Sequence, residues 1–368
     1  MRIARIRALP VSIPRLKALK VAYATRTVYQ GFLLQLETEA GLTGLGEAAP
    51  NFEVCGETLE GTAAALAAMA SLAAGLDPLA REAVLARLEP WRATHAAALA
   101  AFDTALWDLA GKAAGLPVRT LLGHSRPRIP NAMTIGILDL EPTVAEARAI
   151  QAGGRFAEIK LKLGLDPGLD VARVRAVRAA LGPGFPLHLD ANQGYAPAAA
   201  LAVLTALAPE GIAFVEQPVA AQDLEGLKWV SERSPIPVMA DEAVHSPEDA
   251  LRLARAGACA MLNVKLQKVG GITRALEILA IARAARMPCL VGCMTETPVG
   301  ITAGAHLALG SPAVAHVDLD GHVDLAWHPT RGGVQAEGDQ LTVAAAPGLG
   351  LELEDAVRER FEQLTPLA

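Results

Sequence analysis

The chain opens on a two-residue rhythm. From Arg2 to Ile13, from Gly31 to Glu37 and from Leu42 to Glu47, apolar and polar side chains alternate, with a turn signal at Ala40-Gly41 before the third run. Successive side chains of a strand face opposite ways, so this alternation predicts a half-buried antiparallel sheet. The period then lengthens: Leu59–Ala74, Pro78–Leu88 and His95–Ala114 carry apolar residues at helical spacing. Strands followed by helices predict an α+β domain over residues 1–125, and the stretch from Gly123 to Pro130 reads as a linker between domains.

From Asn131 a third rhythm begins. Eight short apolar runs recur, each followed by a turn and an amphipathic stretch. They are Ala132–Ile137, Glu158–Leu163, Pro186–Asp190, Ala213–Glu216, Pro237–Asp241, Met261–Lys265, Cys289–Met294 and Ala315–Asp320. Polar ends fall at Lys162, Asp190, Glu216, Asp241, Lys265, Cys293 and Asp318, separated by 28, 26, 25, 24, 28 and 25 residues. A strand-loop-helix-loop unit takes about that length, and eight of them close a (β/α)8 barrel, predicted here over residues 126–328. An open doubly wound sheet shares the alternation. The even spacing, and a polar residue at strand end after strand end, favour the barrel. Residues 329–368 return to strand-like and then helical pattern and are expected to fold back on the first domain. The fold class is therefore α/β: a (β/α)8-type barrel with an α+β capping domain built from the N-terminal segment and the C-terminal tail.

Composition changes the picture by exclusion. At 52% hydrophobic and 20% charged, the chain can bury a large core. A net charge of −6, from 33 basic and 39 acidic residues with no block of either sign, argues against a nucleic-acid partner. No apolar run approaches the roughly 18–20 residues of a membrane span, and the alternation in Met1–Arg7 is not a secretory signal. The four cysteines (Cys55, Cys259, Cys289 and Cys293) form no CxxC pair, so a reducing, cytoplasmic location is expected. Only eight of the basic residues are lysines, yet four of them stand at Lys160, Lys162, Lys265 and Lys268. Unlike arginine, lysine can be brought into the catalytic pKa range by burial or a neighbouring cation.

In a parallel barrel, the C-terminal strand ends share one mouth. Asp190, Glu216 and Asp241 end the third, fourth and fifth strands, so three carboxylates converge on adjacent sectors. Together they would repel, and a hard divalent cation resolves the conflict; oxygen-only ligands suit Mg2+, with Mn2+ an alternative. Lys160 and Lys162 sit two apart on the second strand and face one way. Two ammoniums near a dication are expected to lower each other's pKa and yield a base. Lys265 ends the sixth strand, across the barrel. Two bases facing each other over a metal suit removal of a proton from one face of a carbon and its return to the other. His316, His322 and His328 recur every six residues, which fits neither helical nor strand ligand spacing. Gly270-Gly271 is expected to be a tight turn with Thr273 as helix N-cap.

With these residues in place the chain resembles a known family. Lys160-x-Lys162, Asp190-x-Asn192, Glu216-Gln217-Pro218, Asp241-Glu242 and Asn263-x-Lys265 before Gly270-Gly271 resemble the enolase superfamily, muconate-lactonising subgroup. Gly44-Leu-Gly-Glu-Ala-Ala-Pro50 and Pro347-Gly-Leu-Gly350 match its capping domain. The resemblance implies a metal that polarises a substrate carboxylate, lysines that move the α-proton, an enolate intermediate, and Asn192 and Glu242 in support beside the metal ligands. Asp318-Leu-Asp320 on the eighth strand offers two carboxylates to a substrate ammonium and resembles the Asp-x-Asp of dipeptide epimerases, as does Gly292-Cys-Met-Thr-Glu296, although that pattern more often ends Glu-Ser than Glu296-Thr297. The same resemblance implies substrate contacts at Thr134, Lys160 and Cys293, and at Arg26, in a loop near residues 16–30, against a glutamate side chain. The expectation is a Mg2+-dependent dipeptide epimerase acting on L-Ala-Glu-like murein peptides as a small-molecule partner, in a homo-oligomer. N-acylamino acid racemase or o-succinylbenzoate synthase chemistry is the nearest alternative, and a barrel that only binds a metal or a partner is the rival from outside catalysis.

Overall fold

In the computed structural model of residues 1–368, the opening alternation forms an antiparallel sheet of β1 (Ile3–Lys20), β2 (Thr25–Thr38) and β3 (Thr43–Ala48). Ile6, Leu34 and Leu36 on its inner face pack with Leu66, Met69 and Phe102 from the helices Leu59–Ala73 and Ala96–Ala114. The sheet presses close on the second of these helices. A Cβ at Gly44 or Gly46 would collide with the carbonyl oxygen of Ala105 or Ala101, which is why this strand needs glycine there. The stretch expected as a loop near residues 16–30 is instead the far end of a β1–β2 ribbon whose turn is only 21–24. Pro14 donates no ladder hydrogen bond, and the register shifts between Pro14 and Leu19, so the alternation that marks a strand is broken there.

After a two-residue strand β4 (Ile129–Pro130), eight strands are laid down with helices between them. They are β5 (Ala132–Ile135), β6 (Glu158–Lys162), β7 (Leu187–Asp190), β8 (Val215–Glu216), β9 (Val238–Ala240), β10 (Met261–Lys265), β11 (Cys289–Gly292) and β12 (Val314–Asp318). They form one parallel sheet in sequence order. Strands covered on both faces bury nearly every side chain, which explains their continuous apolar runs. Side chains bridge the seam from β12 back to β5. Asn131 accepts from the Leu319 N–H at 3.0 Å and donates to its carbonyl at 3.4 Å, while Asp320 accepts from the Thr134 N–H at 2.7 Å. In the tail, β13 (Thr330–Gly332) pairs with β16 (Leu351–Leu353), and β14 (Val334–Glu337) pairs with β15 (Gln340–Val343), which joins β4. The chain end then lies along β1, with Leu367 and Ala368 bonded to Ile6. No helix is long and apolar enough to cross a membrane.

Two carboxylates of the N-terminal region set its register on the barrel. Glu47 of β3, wholly buried, accepts from the Tyr29 hydroxyl (2.7 Å), the Thr297 N–H (2.7 Å) and hydroxyl (2.5 Å), and the Gly300 N–H (2.8 Å). It thereby satisfies the otherwise unpaired amides that open the helix Pro298–Gly310. Asp103 does the same for the helix Ile272–Ala284, accepting from the Thr273 N–H (3.0 Å) and hydroxyl (2.5 Å). This corrects the expectation that Thr273 is the N-cap: Gly271 holds that position without a side chain, and the cap comes from another domain.

Candidate active site

Pairing between neighbouring strands places the polar strand ends in layers. Lys162 is in register with Asp190, and Asp190 with Glu216; across the barrel Lys265 is level with Gly292, and Gly292 with Asp318. One layer deeper, Thr134, Lys160 and His188 align. Since β6 and β10 are four strands apart in a sheet of eight, Lys162 and Lys265 face each other from opposite walls.

Asp190, Glu216 and Asp241 are wholly buried, and one carboxylate oxygen from each lies within 4.8 Å of the others. The Glu216 Oε1 atom has no hydrogen-bond partner. Each carboxylate also faces an ammonium. Lys162 donates to Asp190 at 2.6 Å, Lys265 to Asp241 at 2.6 Å, and Lys160 to both Glu216 (2.9 Å) and Asp318 (2.5 Å). Burial works against the charged forms of Asp190 and Asp241, but the lysines outweigh it and hold both below the ordinary carboxylate range. Glu216 has the opposite fate: burial, reinforced by Asp190, Asp318 and Asp241, pushes it up to about 8. Burial likewise raises Glu242 to about 7, helped by Asp241 and Asp190.

The lysines meet carboxylates at closer range than they meet one another. Burial disfavours the Lys160 and Lys265 ammoniums, yet the surrounding carboxylates prevail and hold both well above the usual lysine value. The lysines are interleaved with carboxylates, not stacked on each other. Four lysines (Lys160, Lys162, Lys265, Lys268) confront six carboxyls (Asp190, Glu216, Asp241, Glu242, Asp318, Asp320). A dication among Asp190, Glu216 and Asp241 would favour the ionised form of all three and occupy the unpartnered Glu216 oxygen, so the residues present fit a hard divalent metal.

Around this centre, Asn192 donates to Glu242 at 3.1 Å, and its own N–H reaches Asp190 at 2.9 Å. Above it opens a cavity of about 420 Å3, lined by Thr134, Lys160, Lys162, Lys265, Cys293, Asp318 and Asp320 from the barrel and by Tyr23, Arg26 and Phe52 from the N-terminal domain. The structure thus brings every expected substrate-facing residue to one space. Some arrive already engaged. Asp318 gives one oxygen to Lys160 while its Oδ1 is unpartnered, and Asp320 gives one oxygen to the Thr134 N–H. Burial and the Asp318 charge raise Asp320 to about 6. The Cys293 thiol is pushed well above its ordinary value by burial and by both aspartates, which makes it a wall and not a nucleophile. Arg26 forms an ion pair with Glu53.

Several residues that shape the site carried no assigned role in the sequence. Lys268 is buried and bonds the Asp241 carboxylate at 2.8 Å and the Asn263 carbonyl at 3.1 Å; its place in the lysine cluster was the available signal. Gln217, with φ of 32°, uses its side-chain oxygen to fix the amides of Asp241 (2.9 Å) and Ala243 (3.1 Å), while Asn192 and Gln193 also adopt positive φ. Strained backbone after two of the candidate ligand strands is where functional geometry is commonly stored. His188, level with Lys160, lies stacked on Phe214 with its Nδ1 3.6 Å from Glu158. No motif marked it, because one histidine inside an apolar strand looks like any core residue.

A parallel barrel with three convergent carboxylates, opposed lysines and an α+β cap over the mouth defines an enzyme of the enolase superfamily. The chain belongs to the mandelate racemase/muconate lactonizing enzyme family: residues 5–123 match the model of its N-terminal domain, and residues 143–357 match the enolase C-terminal domain-like model. It is 37% identical over 354 residues (95% of this chain, 99% of the relative) to a hydrophobic dipeptide epimerase of Enterococcus faecalis. It is also 37% identical over 346 residues (93% and 96%) to an L-Ala-D/L-Glu epimerase of Clostridium acetobutylicum. The crystal structure of the Enterococcus faecalis dipeptide epimerase complexed with Mg and L-Leu-L-Tyr superposes with a TM-score of 0.93, covering 96% of this chain and 100% of that one. Equal identity to relatives named for different dipeptides leaves side-chain preference to be read from the cavity.

Proposed function

We propose that the chain is a dipeptide epimerase that inverts the α-carbon of the C-terminal residue by a two-base 1,1-proton transfer, with L-Ala-L-Glu or a close acidic relative as substrate. The observation that carries this reading is that Lys162 and Lys265 stand on opposite walls beside the carboxylate triad, level with Asp190 and with Asp318 respectively. Asp190, Glu216 and Asp241 would hold the metal, Mg2+ or alternatively Mn2+, whose charge when bound draws electron density from a substrate carboxylate and so acidifies the α-proton. One lysine enters as the amine and takes the α-proton from its face; the ammonium opposite delivers a proton to the other face, and the roles reverse in the back reaction. Lys160, held between Glu216 and Asp318, stays an ammonium and orients the substrate carboxylate. Asn192 and Glu242 steady the ligand side chains. Asp318, whose Oδ1 has no partner, and Asp320 line the cavity and would accept from the dipeptide ammonium, with Thr134 and Cys293 lining its path. Arg26 would meet an acidic side chain.

One observation favours the second reading. Lys160 and the Thr134 N–H already occupy one oxygen of each aspartate, which suits an N-acylamino acid racemase or o-succinylbenzoate synthase with no ammonium to bind. A library of dipeptides and N-acylamino acids, incubated with the Mg2+-loaded enzyme in D2O and read by mass spectrometry, separates the two. The epimerase reading expects deuterium at the α-carbon of Ala-Glu and its diastereomer. Exchange confined to N-acyl substrates would replace it, and no exchange in any compound would leave a binding protein.

A further inference from the structure

The residue that meets Arg26 is Glu53, which comes from a different segment of the N-terminal domain and follows the cavity-lining Phe52. Arg26 stands at the far end of the β1–β2 ribbon, in register with Leu19. Glu53 is presented by the single-turn helix Phe52–Cys55. Asn51 holds that helix by accepting from the Val54 N–H at 3.0 Å, and Gly56 closes it at φ 70°. Both partners lie at the solvent edge, with side chains 36% and 30% exposed, and Arg26 and Phe52 line the same cavity. A guanidinium facing solvent at a cavity rim is a carboxylate receptor. Here the chain fills that receptor with a carboxylate of its own.

We infer that Glu53 is a specificity-determining residue: an internal competitor that an acidic substrate side chain must displace from Arg26. The inference rests on the dipeptide reading of the site. A neutral second residue leaves the Arg26–Glu53 pair intact as a clasp between the ribbon and the 50–57 segment. An acidic one forms a new pair only by breaking the old one, so discrimination in favour of acidic dipeptides is weaker than a lone arginine would give. Exposed ion pairs are worth up to about 1 kcal/mol, or about fivefold in an equilibrium.

The experiment compares kcat/KM for α-proton exchange of L-Ala-L-Glu with that of its uncharged isostere L-Ala-L-Gln. The proteins are the full-length enzyme, Glu53→Gln, Glu53→Ala, Arg26→Ala and the Arg26→Ala/Glu53→Gln double variant. Both Glu53 variants are expected to raise the Glu-to-Gln ratio by up to about fivefold. Arg26→Ala is expected to lower the ratio and to abolish the effect of Glu53→Gln. Thermal melts of the Glu53 variants are expected to match the parent, since the pair is at the surface. A ratio unchanged or lowered by both Glu53 substitutions overturns the inference while leaving the dipeptide activity standing. Loss of exchange with every dipeptide in the parent enzyme overturns both.

Discussion

Replacing Glu47 by glutamine tests how the N-terminal domain shapes the mouth. The carboxylate receives four donors, one from β2 and three from a helix start, with no exposure to water. Glutamine keeps the length but exchanges one acceptor oxygen for an NH2 group, which faces donors with a donor. One or two buried groups are then left unsatisfied at about 1–3 kcal/mol each, so the fold should lose roughly 2–5 kcal/mol. A chain of this size unfolds with an entropy of about 0.8 kcal/mol/K if it melts as one unit, which converts the loss to roughly 3–6 °C in Tm. Scanning calorimetry of the metal-loaded enzyme reads this directly. The loop Cys293–Glu296, which runs into the Thr297 contact and contributes Cys293, Met294 and Thr295 to the cavity, should loosen as well, raising KM for the dipeptide more than it lowers kcat. A variant that melts within a degree of the parent, with KM unchanged, would show that Glu47 contributes nothing to holding the domains in register.

Glu296, buried beside Glu47, has its pKa pushed up to about 8 by burial and by that neighbour. In an unfolded chain it titrates near 4.3, so its proton favours the fold fully below that pH, and the contribution is lost as the pH rises through the folded value. Parent Tm should therefore fall relative to Glu296→Gln between about pH 5 and 9; a constant difference across that range would contradict the assignment. Chelation with EDTA should abolish turnover, and Asp241→Asn should both weaken metal uptake, measured by elemental analysis after dialysis, and cost orders of magnitude in rate; full activity without metal would sink the mechanism. N-acetylation of the dipeptide should raise KM sharply through loss of the ammonium, an effect that Asp318→Asn should diminish; equal use of free and acetylated substrates would move the chain to the racemase reading.

The barrel was legible because each strand is covered on both sides and ends at the mouth. Apolar runs closing on Lys162, Asp190, Glu216 and Lys265 coincide with β6, β7, β8 and β10, whereas Asp241, Cys293 and Asp320 lie just past their strands, where hydrogen-bonding ends before the pattern does. The ribbon beyond Pro14 was not legible, since an edge hairpin with a register shift buries no regular face. Nor were the caps on the helices at Pro298 and Ile272. A buried acid that stabilises a helix 170 or 250 residues away leaves no local signature, and the pairs Asp103–Thr273 and Glu47–Thr297 exist only once two domains meet. The surroundings of the lysines were illegible for a related reason. Sequence spacing shows that Lys160 and Lys162 share a strand face, but not that Asp190, Glu216 and Asp318 stand between the ammoniums and their neighbours.

The central claim is that two lysines on opposite walls serve opposite faces of one carbon. Lys162→Ala and Lys265→Ala, each incubated in D2O with L-Ala-L-Glu and, separately, L-Ala-D-Glu, test it most directly by NMR of the α-proton. Each variant should lose epimerisation, and each should still exchange the α-proton of one diastereomer only, the two variants choosing opposite ones. Either variant interconverting both diastereomers at the parental rate would contradict the account.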